Sequence, residues 1–166
     1  PHLCVTDPPY GVNYDGGANN EKKRERMMGD DSPRLYAPAL RLAPCSVAYL
    51  WHGGTKAEDV YRAVRENGFT VRAQIFWVKL NPHFGAFTAH YKQAHESALY
   101  CVRGDAHWCG PTTERTVWEI PQPTVNEFHT TQKPLECMER PIRNHEGDVY
   151  DPFIGSGTTM VAAERQ

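Results

Sequence analysis

Short apolar runs that end at proline or glycine alternate with helical patterns along this chain, and that alternation restricts the fold more than any other feature. Residues 2–6, 46–52, 72–79, 98–103 and 148–153 are strand-length runs rich in β-branched or aromatic side chains. The clearest helical pattern is 56–67. Thr55 suits its N-cap, and Glu58 stands where a capping box wants a carboxylate. Ala57, Val60, Tyr61 and Val64 share one face, and Gly68 follows where positive φ is needed. Pro134 suits the first turn of another helix, which Pro141 kinks or ends early. A third helix starts near Ser156, and 32–43 is a further candidate in spite of Pro38. Strands alternating with helices predict an α/β fold: a mostly parallel twisted sheet with helices on both faces. In such sheets ligands bind beyond the carboxyl ends of the strands.

The size, 166 residues, fits one domain. No apolar run approaches the roughly 18 residues that span a membrane, and no charged-then-apolar leader is visible. The expectation is a soluble cytoplasmic protein with no membrane partner. Five cysteines without a CxxC pair read as reduced, buried thiols rather than a disulfide framework. Eight histidines occur without HxxxH or HExxH spacing, so no metal site is expected. The net charge of −2 is low for a protein that lives on phosphate contacts alone. Positive charge is local instead, in Lys22, Lys23, Arg24 and Arg26, within a polar stretch at 16–31 that reads as a loop. Residues 104–128 contain Pro111, Pro121 and Pro123 and read as an irregular connection.

Two strand ends carry unusual chemistry. The first run meets Asp7-Pro8-Pro9-Tyr10. Proline has no amide hydrogen, so the Pro8 carbonyl sits on stiff backbone and can face a cleft. Asp7 adds a second acceptor and Tyr10 a flat ring, a set that suits a planar ligand bearing an amino group. A solvated strand-end turn is the plainer reading of the same residues. The last run meets Asp151-Pro152-Phe153-Ile154-Gly155-Ser156-Gly157, whose glycines let a ligand approach the backbone. Met160 stands where a dinucleotide fingerprint has its third glycine, and no GK[ST] follows, so neither that fingerprint nor a P-loop is present. Pro44-Cys45 lacks the surroundings of a nucleophilic cysteine and reads as structural.

Taken together, these motifs resemble those of the amino-methylating DNA methyltransferases, which use S-adenosylmethionine. That family has a catalytic D/S/N-P-P-Y/F/W motif and a donor-binding F-x-G-x-G motif. His129-Thr130-Thr131-Gln132-Lys133-Pro134 is similar to a third family element, and "YLWHGG", "IFWVK" and "HESALYCVRG" resemble its intermediate strands. The catalytic motif precedes the donor motif, as in the β arrangement, and Asp rather than Ser at its head is more typical of adenine-N6 methylation. The resemblance implies a Rossmann-like methyltransferase fold, Asp7, Pro8, Pro9 and Tyr10 as catalytic residues, and Asp151, Phe153, Gly155, Gly157, Thr158, Thr131, Gln132 and Lys133 at the donor. It implies DNA as partner, gripped by Lys22, Lys23, Arg24 and Arg26, in a prokaryotic or phage-encoded enzyme of the restriction-modification kind. Cytosine-N4 methylation, RNA methylation and a non-catalytic nucleic-acid-binding subunit are the alternatives.

The chain also departs from the family pattern. It ends within a helix, before the strand whose acidic residue binds the donor ribose, and begins late relative to the segment that helps hold the donor adenine. Residues 1–166 are therefore expected to be a single catalytic domain in truncated or partly ordered form. Residues 104–128 make a short insert where a target-recognition region normally lies, so the expectation is that target choice is weak or comes from a partner, another domain or a second subunit.

Overall fold

The structure, a computed structural model, describes residues 2–10, 36–80, 90–122 and 133–166. Six strands form one sheet in the order β5-β3-β4-β2-β1-β6. They are β1 (Leu3–Thr6), β2 (Val47–His52), β3 (Thr70–Val78), β4 (His95–Val102), β5 (Val117–Glu119) and β6 (Val149–Tyr150). The helices are α1 (Tyr36–Leu42), α2 (Ala57–Glu66), α3 (Glu136–Arg143) and α4 (Thr158–Glu164). β1 runs parallel to β2 and to β6, and β3 runs parallel to β5. Only β4 is reversed, antiparallel to both β2 and β3. The mostly parallel sheet expected from the alternation is therefore present, with one inserted antiparallel strand.

Strand periodicity sorts the core into two layers. Leu3, Val5, Val47, Tyr49 and Trp51 pack with Cys137, Met138 and Ile142 of α3 and Ala162 of α4. Cys4, Ala48 and Leu50 pack the other way, with Tyr36 and Leu40 of α1 and Val60, Ala63 and Val64 of α2. Every residue of β1 and β2 is buried, as expected for strands covered on both faces.

Several local expectations are corrected. Residues 54–56 form a 3₁₀ turn, so α2 begins at Ala57 behind Lys56, and no side-chain cap bond forms there. The capping box of Thr55 and Glu58 is not made, because the tighter turn takes Thr55 away from the N-cap position. Gly68 does adopt φ +76° after α2. Pro141 lies inside α3, which ends two residues later. Residues 117–119, placed in an irregular connection from sequence, form β5. Cys109 is exposed, whereas the other four cysteines are buried as expected. Among the described residues no helix is long and apolar enough to cross a membrane, and no cluster of three metal-ligating side chains occurs.

Candidate active site

The in-register pairs Leu3 with Val149 and Cys4 with Tyr150 set β1 beside β6. Their carboxyl ends therefore release the Asp7-Pro8-Pro9-Tyr10 and Asp151–Gly157 segments side by side. Thr6 ties the two: its buried hydroxyl donates to Asp151 Oδ1. The same oxygen accepts the Phe153 amide at 3.0 Å, which folds the chain over into the glycine turn. Gly155 and Gly157 have φ of +49° and +83°, a region that only glycine enters cheaply. A side chain at Gly155 would meet no atom closer than the Phe153 carbonyl oxygen at 3.8 Å, so the backbone there faces open space. Ser156 and Thr158 hydroxyls lie 3.2 Å apart on the same turn.

Asp7 belongs to a half-buried ionic cluster centred on Lys133. Lys133 Nζ donates to Asp7 Oδ2 at 2.7 Å and to the Tyr10 hydroxyl at 2.7 Å, and it lies 2.8 Å from Glu96 Oε2. An ammonium has three N–H donors, and these three acceptors match them. The Tyr10 hydroxyl in turn donates to Glu96 Oε2 at 3.1 Å. Glu96 Oε1 pairs with Lys79 at 2.7 Å. Lys133 is also 5.1 Å from the centroid of the Tyr10 ring and 5.1 Å from that of Trp51, close enough for cation–π attraction. Two carboxylates and two ammoniums thus balance in charge beside the motif.

Each element delivers one part. Lys133 is only 4 % exposed and lies just before α3. Glu96 projects from β4, where its residue pairs with Trp77 of β3. Lys79 follows β3 directly. Gly53, just past β2, lets Tyr10 close on the sheet, since a Cβ there would stand 3.3 Å from Tyr10 Cδ2. Tyr36 of α1 donates to the Trp51 carbonyl at 2.9 Å.

Burial controls the protonation states. It pushes the Asp7 carboxyl above the usual range, and Glu96 adds to this while Lys133 opposes it. For Glu96 burial acts upward too, but Lys133 and Lys79 overcome it and hold the carboxyl down at about 2. Burial opposes the charge on Lys133, yet Asp7 and Glu96 outweigh it and raise its pKa, so it remains an ammonium. Burial and the two carboxylates push Tyr10 well above the ordinary phenol, so it stays a neutral donor. His52 is 1 % exposed. Its Nδ1 lies 3.1 Å from the Gly53 carbonyl oxygen, while its Nε2 and the Trp51 Nε1 have no hydrogen-bond partner among the described residues.

The structure therefore brings Asp7, Pro8, Pro9 and Tyr10 into one neighbourhood with Asp151, Phe153, Gly155, Gly157 and Thr158. It places Lys133 against the carboxylates of Asp7 and Glu96. Thr131, Gln132, Lys22, Lys23, Arg24 and Arg26 lie outside the described residues. Glu96 and Lys79 were not singled out from sequence. The available signal was a carboxylate inside the apolar β4 run and a lysine closing β3.

The DNA methylase family model, N6_N4_Mtase, matches residues 1–166. The type II methyltransferase M2.DpnII of Streptococcus pneumoniae is 29 % identical over 205 residues, covering 98 % of this chain and 73 % of its own length. M2.LlaDCHI of Lactococcus lactis subsp. cremoris is 25 % identical over 203 residues, covering 98 % of this chain and 73 % of its own. The solved M1.HpyAVI–SAM complex superposes with a TM-score of 0.71 at 29 % identity, covering 99 % of this chain and 78 % of that one.

Proposed function

We propose that this chain, which belongs to the DNA methylase family, transfers the methyl group to the exocyclic N6 amino group of adenine. Membership supplies the coarser facts, S-adenosylmethionine as donor and DNA as substrate. The choice of adenine rests on Asp7 at the head of the proline motif. The observation that carries the site is the Thr6–Asp151 hydrogen bond, which holds the acceptor motif and the glycine turn at neighbouring strand ends.

In this reading the target base leaves the duplex stack and Tyr10 replaces its stacking partner. Asp7 and the Pro8 carbonyl accept the two amino hydrogens. The nitrogen then pyramidalises, and its lone pair, otherwise delocalised into the ring, turns toward the donor methyl. Orientation and placed acceptors do the work. The nitrogen–carbon bond would form as the carbon–sulfur bond breaks, positive charge would pass from sulfur to nitrogen, and one N–H proton would pass to the Asp7 carboxylate that accepts it and from there to solvent. S-adenosylhomocysteine and N6-methyladenine remain.

Phe153, Gly155, Gly157 and Thr158 are the donor contacts in this reading, with Asp151 toward its amino-acid end. Thr131, Gln132 and Lys133 reach its carboxylate or the backbone beside it. Because Lys133 already has three acceptors, a direct contact from Nζ requires it to release one of them. Lys22, Lys23, Arg24 and Arg26 hold phosphates near the flipped base, and a further subunit or domain selects the target.

Digestion of methylated DNA to nucleosides, followed by mass spectrometry, tests the acceptor. N6-methyldeoxyadenosine is the expected product, and N4-methyldeoxycytidine would overturn the choice of base. Methylation of a random DNA library by the chain alone tests the recognition proposal, which a strict target motif would sink.

A further inference from the structure

The proposed reaction gives Glu96 no role, although this side chain touches Lys79, Lys133 and Tyr10. One oxygen faces Lys79 at 2.7 Å. The other faces Lys133 at 2.8 Å and takes the Tyr10 hydroxyl at 3.1 Å. It lies on β4, the strand that runs against all the others. It reaches the motif after β1 from two strands away, since β2 separates β4 from β1.

We propose that Glu96 is a positioning residue for methyl transfer: by sharing Lys133 and accepting from the Tyr10 hydroxyl, it keeps the Asp7 carboxylate from being fully paired with that ammonium, and so a stronger acceptor for the target amino group. The inference rests on the proposed role of Asp7. Without Glu96 the Lys133 ammonium would fall to Asp7 alone. A fully paired carboxylate is a weaker acceptor for a third group. The cluster would also carry one more positive charge, at the place where methyl transfer delivers positive charge to nitrogen. The Tyr10 hydroxyl would keep the hydrogen bond from Lys133 but lose the acceptor of its own proton.

Among the described residues, the charged and titratable groups around Glu96 come from neighbouring elements and the segments beside them. Lys79 comes from β3, Lys133 from the segment before α3, and Asp7 and Tyr10 from the loop after β1. Tyr36 of α1, His52 of β2 and Cys137 of α3 lie within electrostatic reach of the same cluster. Of these, Asp7 and Lys133 respond most usefully, because the Glu96 charge raises both. Removing that charge lowers both, so each limb of a pH–rate profile moves toward lower pH.

Glu96→Gln keeps the shape and one acceptor oxygen, which can stay on Lys133 and Tyr10, removes the charge, and turns the oxygen that faces Lys79 into an NH2 donor. Two readouts apply to it, both on the folded chain checked by circular dichroism. The first is a carbon-detected NMR titration of the Asp7 carboxyl, which needs no activity; the expected midpoint is lower than in the wild type. The second is transfer of labelled methyl from S-adenosylmethionine to DNA, whichever base receives it. The expected kcat is about 10- to 100-fold lower, with KM for DNA little changed and the acid limb displaced downward. Glu96→Asp restores the charge but is one methylene shorter, so the titration is expected to recover more than kcat does. An unmoved Asp7 midpoint in Glu96→Gln, or a moved midpoint with wild-type kcat, overturns the proposal. A cytosine product overturns only the choice of base. A wild-type chain that transfers no methyl sinks the proposed function and this inference with it, whereas an unmoved Asp7 midpoint in an active chain sinks the inference alone.

Discussion

The two ends of the sheet bury polar groups in opposite ways. At the carboxyl end of the parallel strands they are ions: Asp7 and Glu96 against Lys133 and Lys79. At the other end the buried pair of His145 and Tyr49 is neutral, and the charged group beside it, Arg103, is satisfied by backbone carbonyls rather than by a counter-ion. His145 Nδ1 lies 2.6 Å from the Ala106 carbonyl oxygen and its Nε2 lies 3.0 Å from the Tyr49 hydroxyl. A carbonyl can only accept, so Nδ1 carries the proton and Nε2 accepts from Tyr49. Tyr49 stacks on Tyr100 with centroids 4.9 Å apart, and Trp108 meets His145 edge-on at 5.2 Å. Arg103 closes this end by donating to the Cys45 and Asn67 carbonyls and lying over Phe69. Neutral hydrogen bonds satisfy buried groups at little desolvation cost, whereas buried ions must recover a large one. The ionic solution is the costlier one for stability, and its place beside Asp7 fits the proposed catalytic role of that end.

The comparison breaks first at Asp7. Asp7→Ala is expected to lower methyl transfer at least about 100-fold while S-adenosylmethionine binding, followed by calorimetry, persists. Retained transfer would make the ionic end merely structural. Lys133→Met comes next. It leaves Asp7 without its cation and Glu96 with Lys79 alone, and removal of one partner from a buried pair costs about 3 kcal/mol. Chemical denaturation at neutral pH measures this, and a loss below that of Tyr49→Phe would reverse the contrast between the ends. Tyr49→Phe orphans the buried Nε2 of His145 and is expected to cost about 1–2 kcal/mol, with methyl transfer unchanged. Thr6→Val removes the tie to Asp151, which keeps the Phe153 amide. About 1 kcal/mol of stability is expected to go, with a larger proportional fall in donor affinity than Tyr49→Phe produces. Equal donor affinities in the two variants would detach the Thr6 bond from the donor turn.

What was legible in the sequence was local. The proline motif and the glycine turn each occupy fewer than ten consecutive residues, and their place at strand ends followed from the apolar runs before them. The ionic cluster was not legible, because Lys133 and Glu96 meet Asp7 only through the strand order. Nothing in "HESALYCV" announces that β4 inserts between β2 and β3 in reverse, yet that insertion carries Glu96 to the site. β5 was missed because three residues flanked by turns have no periodicity to count. Thr55 failed as a cap for a different reason: a 3₁₀ turn and an α-helical start compete over the same residues. Backbone tightening prevailed there over a favourable side-chain pattern.

The smallest expected effect concerns the pH dependence of the neutral end. Burial pushes the His145 pKa below that of an ordinary imidazole, His107 adds to this, and the Ala106 hydrogen bond opposes it. The sign follows from linkage. Below about pH 6.5 the unfolded chain takes up a proton on this residue that the folded chain refuses until lower pH. Stability from His145 is therefore complete above that value and is lost as pH falls toward the folded pKa. His52, depressed chiefly by its own burial, contributes with the same sign, so removing His145 abolishes only part of the effect. His145→Gln is expected to melt lower than the wild type at about pH 7.5 but to lose less on going to about pH 5.5, where the wild-type imidazole is being driven to charge. Melting temperatures of both proteins at the two pH values read this directly. An equal loss in both would move the acid sensitivity away from His145 and onto the other buried imidazole with a depressed pKa, His52.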